Sequence, residues 1–149
     1  MELSSYWRPQ VWLRVDAEYA WSHARFKDVP DGKSFIPGAV EHMLAAGFTV
    51  GKEEGLYSSL RTRYFAPRPL EESGKNESKS SFQVNARIGY RKNNWDIAVD
   101  CLNLLDREDN DIEYFYESRL PGEPLAGVSD IHLHPSEPRQ FRLTMTRRW

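Results

Sequence analysis

The chain has 149 residues, 20 basic and 22 acidic, with a formal net charge of -2 and a pI near 6.1. That length fits one domain at most, and 40% apolar with 28% charged residues exclude disorder and a collagen-like repeat. The near-neutral balance excludes a nucleic-acid binder that works through bulk positive charge, so no nucleic-acid partner is expected.

The longest apolar stretch, residues 43–48, falls far short of the roughly 20 residues of a membrane helix. The opening MELSSYWRPQ has neither the apolar core nor the small-residue cleavage site of a signal peptide. Cys101 is the only cysteine, which excludes an internal disulfide and a Cys-based zinc site. On these averages the chain reads as a soluble cytosolic domain, but averages do not register alternation.

From Val11 the odd positions run Val11, Leu13, Val15, Ala17, Tyr19 and Trp21. Trp12, Arg14, Asp16, Glu18, Ala20 and Ser22 lie between them. This period of two predicts a strand with one apolar and one charged face. The same period predicts strands from Val40 to Val50, from Leu56 to Phe65 (less cleanly), from Phe82 to Arg91, from Trp95 to Cys101 and from Gln140 to Trp149. Six long strands result, and no stretch sustains a helical period.

Residues 51–55 and 92–94 are hairpin-sized connections. Residues 27–37 (with the turn formers Pro30, Asp31 and Gly32), 67–81 and 106–139 are long. Strict alternation of long and short links puts the tight turns at one end of the sheet and the long loops at the other, as in outer-membrane barrels. Within the last connection, residues 112–119 alternate and predict a further strand or loop hairpin. Residues 120–138, with Pro121, Pro124, Pro135 and Pro138, predict an irregular exposed segment.

The 13% aromatic share fits this arrangement. Tyr19, Trp21, Tyr64, Phe82 and Phe141 fall at the long-loop end of the apolar face. Phe48, Tyr90, Trp95 and Trp149 fall at the tight-turn end. Two aromatic rows bounding an aliphatic band are the pattern of a bilayer-spanning sheet.

The closing PRQFRLTMTRRW and the preceding NARIGYRKNNWDIAVDCLNLLDRE resemble the last strands of TonB-dependent outer-membrane receptors. The segment YFYESRLPGEPLAGVSDIHLHPSEPR resembles the last extracellular loop of a subset of them. The resemblance runs from about Asp16 to Trp149. It implies an all-β fold, an antiparallel up-and-down meander of about six long strands. That meander is part of a large transmembrane β-barrel of about 22 strands, which this chain alone does not close. On this resemblance, residues 1–149 are a C-terminal fragment of the receptor barrel without its plug domain, in the bacterial outer membrane. The implied function is TonB-dependent uptake of a scarce nutrient such as a siderophore complex. The implied partners are outer-membrane lipid, the rest of the barrel and plug, TonB and the barrel-assembly machinery.

Trp149, with Met145, Leu143 and Phe141 at two-residue spacing, resembles the C-terminal signal that the assembly machinery reads by strand addition. Arg147, on the same face, is expected to snorkel toward an interface. Arg14, Arg61, Arg63, Arg87, Arg91, Arg142 and Arg148, with Asp16, Glu18, Glu41, Asp96 and Asp100, make up the charged face and are expected to form cross-strand pairs.

His132 and His134 share one side of an extended segment at a spacing a metal could use, but no third ligand stands out beyond Asp130 and Glu137. His23 and His42 read as interface or wall residues. No nucleophile elbow, phosphate loop or catalytic pair is present, so neither an enzyme nor a cofactor is expected. The competing reading is a soluble small β-barrel or sandwich, lipocalin-like, with the apolar face turned inward around a ligand. A remoter one is a metal-dependent enzyme using His132 and His134.

Overall fold

The computed structural model describes residues 1–30 and 32–149; Asp31, one of the expected turn formers, lies outside the described residues. Those residues form nine strands and no helix: β1 Glu2–Gln10, β2 Leu13–Trp21, β3 His42–Gly51, β4 Gly55–Phe65, β5 Ser81–Lys92, β6 Trp95–Leu102, β7 Asn110–Ser118, β8 Val128–Pro135 and β9 Gln140–Arg147. Seven of them make one antiparallel sheet in the order β1-β2-β3-β4-β5-β6-β9, and β7 pairs with β8 in a separate hairpin. The all-β meander expected from alternation is present.

The count of six strands is too low. β1 precedes the first expected strand, and Val11 and Trp12 form the turn between β1 and β2 instead of opening a strand. The register explains how β1 belongs: Leu3, Ser5 and Trp7 lie opposite Tyr19, Ala17 and Val15. Residues 120–138 are not irregular throughout, because β8 occupies their centre and returns along β7. Pro135 closes that strand, and the other prolines lie outside it, where no ladder hydrogen bond is lost.

Each pairing keeps the two faces in phase. One register line runs Trp7, Val15, Phe48, Leu60, Ala86, Cys101 and Phe141 across all seven strands. The adjacent line on the opposite face runs Arg14, Thr49, Ser59, Arg87, Asp100 and Arg142. The two-residue period of each strand thereby becomes an apolar face and a polar face of the whole sheet.

The strand ends do not follow these lines. At the long-loop end the last paired residues are Trp21↔His42, Phe65↔Ser81 and Leu102↔Gln140. At the tight-turn end they are Gln10↔Leu13, Gly51↔Tyr57 and Lys92↔Trp95. Both ends slide the same way, by about four to five residues over four strand spacings. At about 3.3 Å per residue and about 4.8 Å per strand this is a tilt of roughly 40°. The slide also explains why Phe48 and Phe141 share a register line although they stand at opposite ends of their strands.

Few side chains are enclosed. Tyr57, Ala66, Leu70, Val84, Ala98 and Cys101 are the buried apolar residues described. Tyr57, only 5% exposed, is buried on the polar face, because its ring lies over Gly89 on the neighbouring strand. Its hydroxyl donates to Asp96 Oδ1 at 2.6 Å, and the Arg91 guanidinium stacks 3.8 Å from the ring centre. A Cβ at position 89 would stand 2.4 Å from Tyr57 Cζ.

Gly89→Val should therefore destabilise the sheet by about 1–3 kcal/mol through overpacking, although Val is the better strand former. Denaturant unfolding in detergent measures this, and Tyr57→Ala in the same background should relieve most of the loss.

Candidate functional site

The polar face is a network of cross-strand ion pairs. Arg87 on β5 donates through Nε (2.6 Å) and Nη2 (2.8 Å) to Asp100 on β6, and Arg91 Nε donates to Asp96 at 2.8 Å. Both pairs join residues directly opposite in register. A third pair spans three strands. Asp16, Gly47 and Arg61 share one line, and the missing side chain at Gly47 lets Arg61 cross β3. Arg61 then meets Asp16 with two hydrogen bonds of 2.8 and 3.1 Å. The expected cross-strand pairing of the charged set is met at these three places.

Glu41 departs from the expected set. It precedes β3 and accepts hydrogen bonds from Arg25 (2.6 Å) and His23 (3.1 Å) in the β2–β3 connection. The Arg25 guanidinium also lies 4.2 Å from the centre of the Phe35 ring. His42 Nδ1 is 2.7 Å from the Tyr19 hydroxyl.

Among the described residues most of the apolar face is uncovered, Val84 and Cys101 being its buried members. Leu3, Trp7, Leu44, Phe48, Ile88, Ile97 and Val99 are all exposed on it. Among the described residues β9 pairs only with β6, so its other edge is open, as is the outer edge of β1. The four residues of the expected assembly signal lie at this edge. Phe141 (72% exposed), Leu143 and Met145 project from the apolar face of β9, while Trp149 (97% exposed) follows the strand end. Arg147, on the apolar face, has its guanidinium between the rings of Trp95 (5.2 Å) and Trp149 (4.3 Å). Stacking between two aromatic rings accommodates that charge among apolar neighbours.

The long-loop end is tied together by buried polar side chains that alternation does not reveal. Asn103, 5% exposed with φ 49°, joins both legs of the excursion that carries the β7–β8 hairpin. Its Nδ2 donates to the carbonyls of Arg107 (3.0 Å) and Glu137 (3.1 Å), and its Oδ1 accepts from the Arg107 N–H (3.0 Å). Its own N–H donates to Asn85 Oδ1 at 2.9 Å. Buried Asp109 accepts the Phe82 N–H at 2.7 Å, and buried Glu113 accepts the Lys79 N–H at 2.9 Å. These two carboxylates dock the hairpin on the β4–β5 connection and on the start of β5 at Phe82. Both fall in the long connection of residues 106–139, where composition gives no sign of burial, so only the folded chain identifies them.

His132 and His134 lie on the same side of β8. His132 stacks on Tyr116 at 3.9 Å, and its Nε2 is buried without a hydrogen-bond partner. No group of three or more potential metal ligands occurs among the described residues.

Asn103→Ala should cost about 2–3 kcal/mol, by stranding the hydrogen-bonding groups it serves and forcing Ala to a positive φ. Hydrogen exchange should show the loss first at the Arg107 N–H. The hydrogen bond from Arg25 holds the Glu41 carboxyl below its ordinary value of 4.5, as does the one from His23. Stability from this contact is fully present above about pH 4.5 and is lost as pH falls through the lowered value. An acid titration of the Phe26 N–H protection should show that step, and Arg25→Gln should move it up toward the ordinary carboxylate range.

No protein-family model matches the chain, and no curated protein matches it.

Proposed function

We propose that the chain is part of the wall of a TonB-dependent outer-membrane receptor, the C-terminal segment of its β-barrel. In this reading the apolar face meets lipid and the polar face lines the water-filled interior against a plug. The observation that carries the reading is the conjunction of an uncovered apolar face with strand ends that slide at roughly 40°. The range for closed barrels is about 35–45°. An apolar area of this extent is rare on a soluble monomer.

The aromatic residues support the reading in the same geometry. At the long-loop end Trp21, Tyr64, Phe82 and Phe141 follow the sliding strand ends, and at the other end Phe48, Tyr90 and Trp95 do so. Rings set along the two tilted margins stand at two depths, which is where a bilayer places its interfaces.

Function then follows from position. The three ion pairs brace the wall on its aqueous side, each worth little alone in contact with water. The open edges of β1 and β9 accept further strands, since seven are fewer than the eight of the smallest natural barrels. Phe141, Leu143, Met145 and Trp149 present the alternating apolar edge for strand addition by the assembly machinery. The docked loop end faces outward, toward a scarce nutrient such as a siderophore complex. Uptake is gated by the plug and powered through TonB, without covalent catalysis by this chain. The soluble, ligand-enclosing alternative needs the edges of β1 and β9 joined or the apolar face covered, and neither arrangement occurs among the described residues.

Reconstitution into vesicles tests the placement. Tryptophan emission should be blue-shifted. Lipids brominated near the headgroup should quench it more strongly than lipids brominated at the chain ends. Emission that no brominated lipid quenches, from a chain that stays monodisperse in plain buffer, would refute the proposal.

A further inference from the structure

We propose that the loop end of the polar face carries a binding site for a hydroxyl-rich dicarboxylate, built from Arg63, Gln83, Asn85, Gln140 and Arg142. The site deepens the membrane reading, and rests on it for the direction from which the ligand arrives. An open cleft of about 340 Å³ lies there, lined by these five residues on β4, β5 and β9 and by Asp111, Glu137 and Pro138 of the β7–β8 excursion. That volume is within the usual range for small-molecule sites.

Two guanidiniums in this cleft lack a carboxylate. Arg142 lies directly opposite Asp100 in register, but both oxygens of Asp100 are taken by Arg87. That register line, which also carries Arg14 at its far end, therefore holds three cations against one anion. Arg63 donates only to the neutral Gln83 Oε1 (3.1 Å), and it forms no ion pair among the described residues. Guanidinium groups without a partner are the preferred receptors for carboxylates, which they grip through two parallel hydrogen bonds.

Around them the remaining hydrogen-bonding capacity is mixed. Asn85 and Gln83 have their carbonyl oxygens occupied, by the Asn103 N–H and by Arg63, so each offers its amide N–H groups. At the rim, Asp111 and Glu137 offer acceptor oxygens beside their bonds to Ser136 and Gln140. Hydroxyl groups both donate and accept, and so suit such a lining. Three strand spacings across the sheet and an offset of four residues along it separate Arg63 from Arg142, roughly 20 Å between backbones. A single small carboxylate cannot reach both, whereas a ligand with carboxylates on two linked rings can.

Calorimetry on the full chain in detergent, with digalacturonate as the probe and maltose and acetate as controls, tests the site. Digalacturonate should bind at least tenfold more tightly than either control. Arg142→Gln and Arg63→Gln should each weaken it about tenfold or more. Arg142→Lys, which keeps the charge and the strand pairing but not the two-pronged grip, should give a smaller loss. Arg14→Gln, on the same face at the tight-turn end, should leave binding unchanged. Absence of binding, or equal weakening by Arg14→Gln, would overturn the site. Binding by a chain that does not enter vesicles would keep the site and remove the membrane reading; vesicle insertion without binding would do the reverse.

Discussion

The register of the seven-stranded sheet is the constraint on which everything else depends. Because side chains alternate with a period of two, a slip of one residue at any pairing would send a strand's apolar set to the charged face. No slip occurs between β2 and β9, and the single irregularity in β1 falls after Trp7, beside the turn. Seven modest strands thereby become one surface with two chemistries, and each face acquires properties no single strand has.

The polar face shows how that register is secured. Arg87–Asp100 and Arg91–Asp96 are satisfied only in the observed alignment of β5 and β6, so each opposes a slip more than it adds to stability. Gly47 and Gly89 extend the same logic beyond nearest neighbours. One clears a path for Arg61 to reach Asp16, and the other gives the Tyr57 ring a flat bed beside Asp96. The apolar face has no comparable devices. Apart from Val84 and Cys101, it carries mostly exposed side chains with little packed on them.

The sequence makes some of this legible and leaves the rest out for identifiable reasons. β2, β3, β5, β6 and β9 are readable because each sets apolar against polar or small residues at every second position. β1 is not, since Ser4 and Ser5 fit either face and Tyr6 and Trp7 put an aromatic on each. β8 escapes because the hairpin stands clear of the sheet, and its two sides, Asp130, His132 and His134 against Ile131 and Leu133, follow no simple contrast. The aromatic residues are legible by strand end but not by depth, which depends on the slide between strands. The proposed cleft is legible only as residue types: alternation gives the face of Arg63, Gln83 and Arg142, but which arginine lacks a carboxylate follows from long-range register. The buried Asp109 and Glu113 sit in a charge-rich run whose burial comes entirely from the loops folded against it.

The central claim is that the apolar face of the sheet lies against lipid while the polar face lies against water. Nitroxide labels placed singly along β5 from Phe82 to Arg91, in a Cys101→Ser background and in reconstituted vesicles, test it directly. The account predicts that the exposed even positions, Ile88 and Tyr90, collide freely with oxygen and poorly with a water-soluble nickel chelate, and that accessible odd positions do the opposite. Shielding of Ile88 and Tyr90 from both reagents would place the apolar face inside a protein core and contradict it.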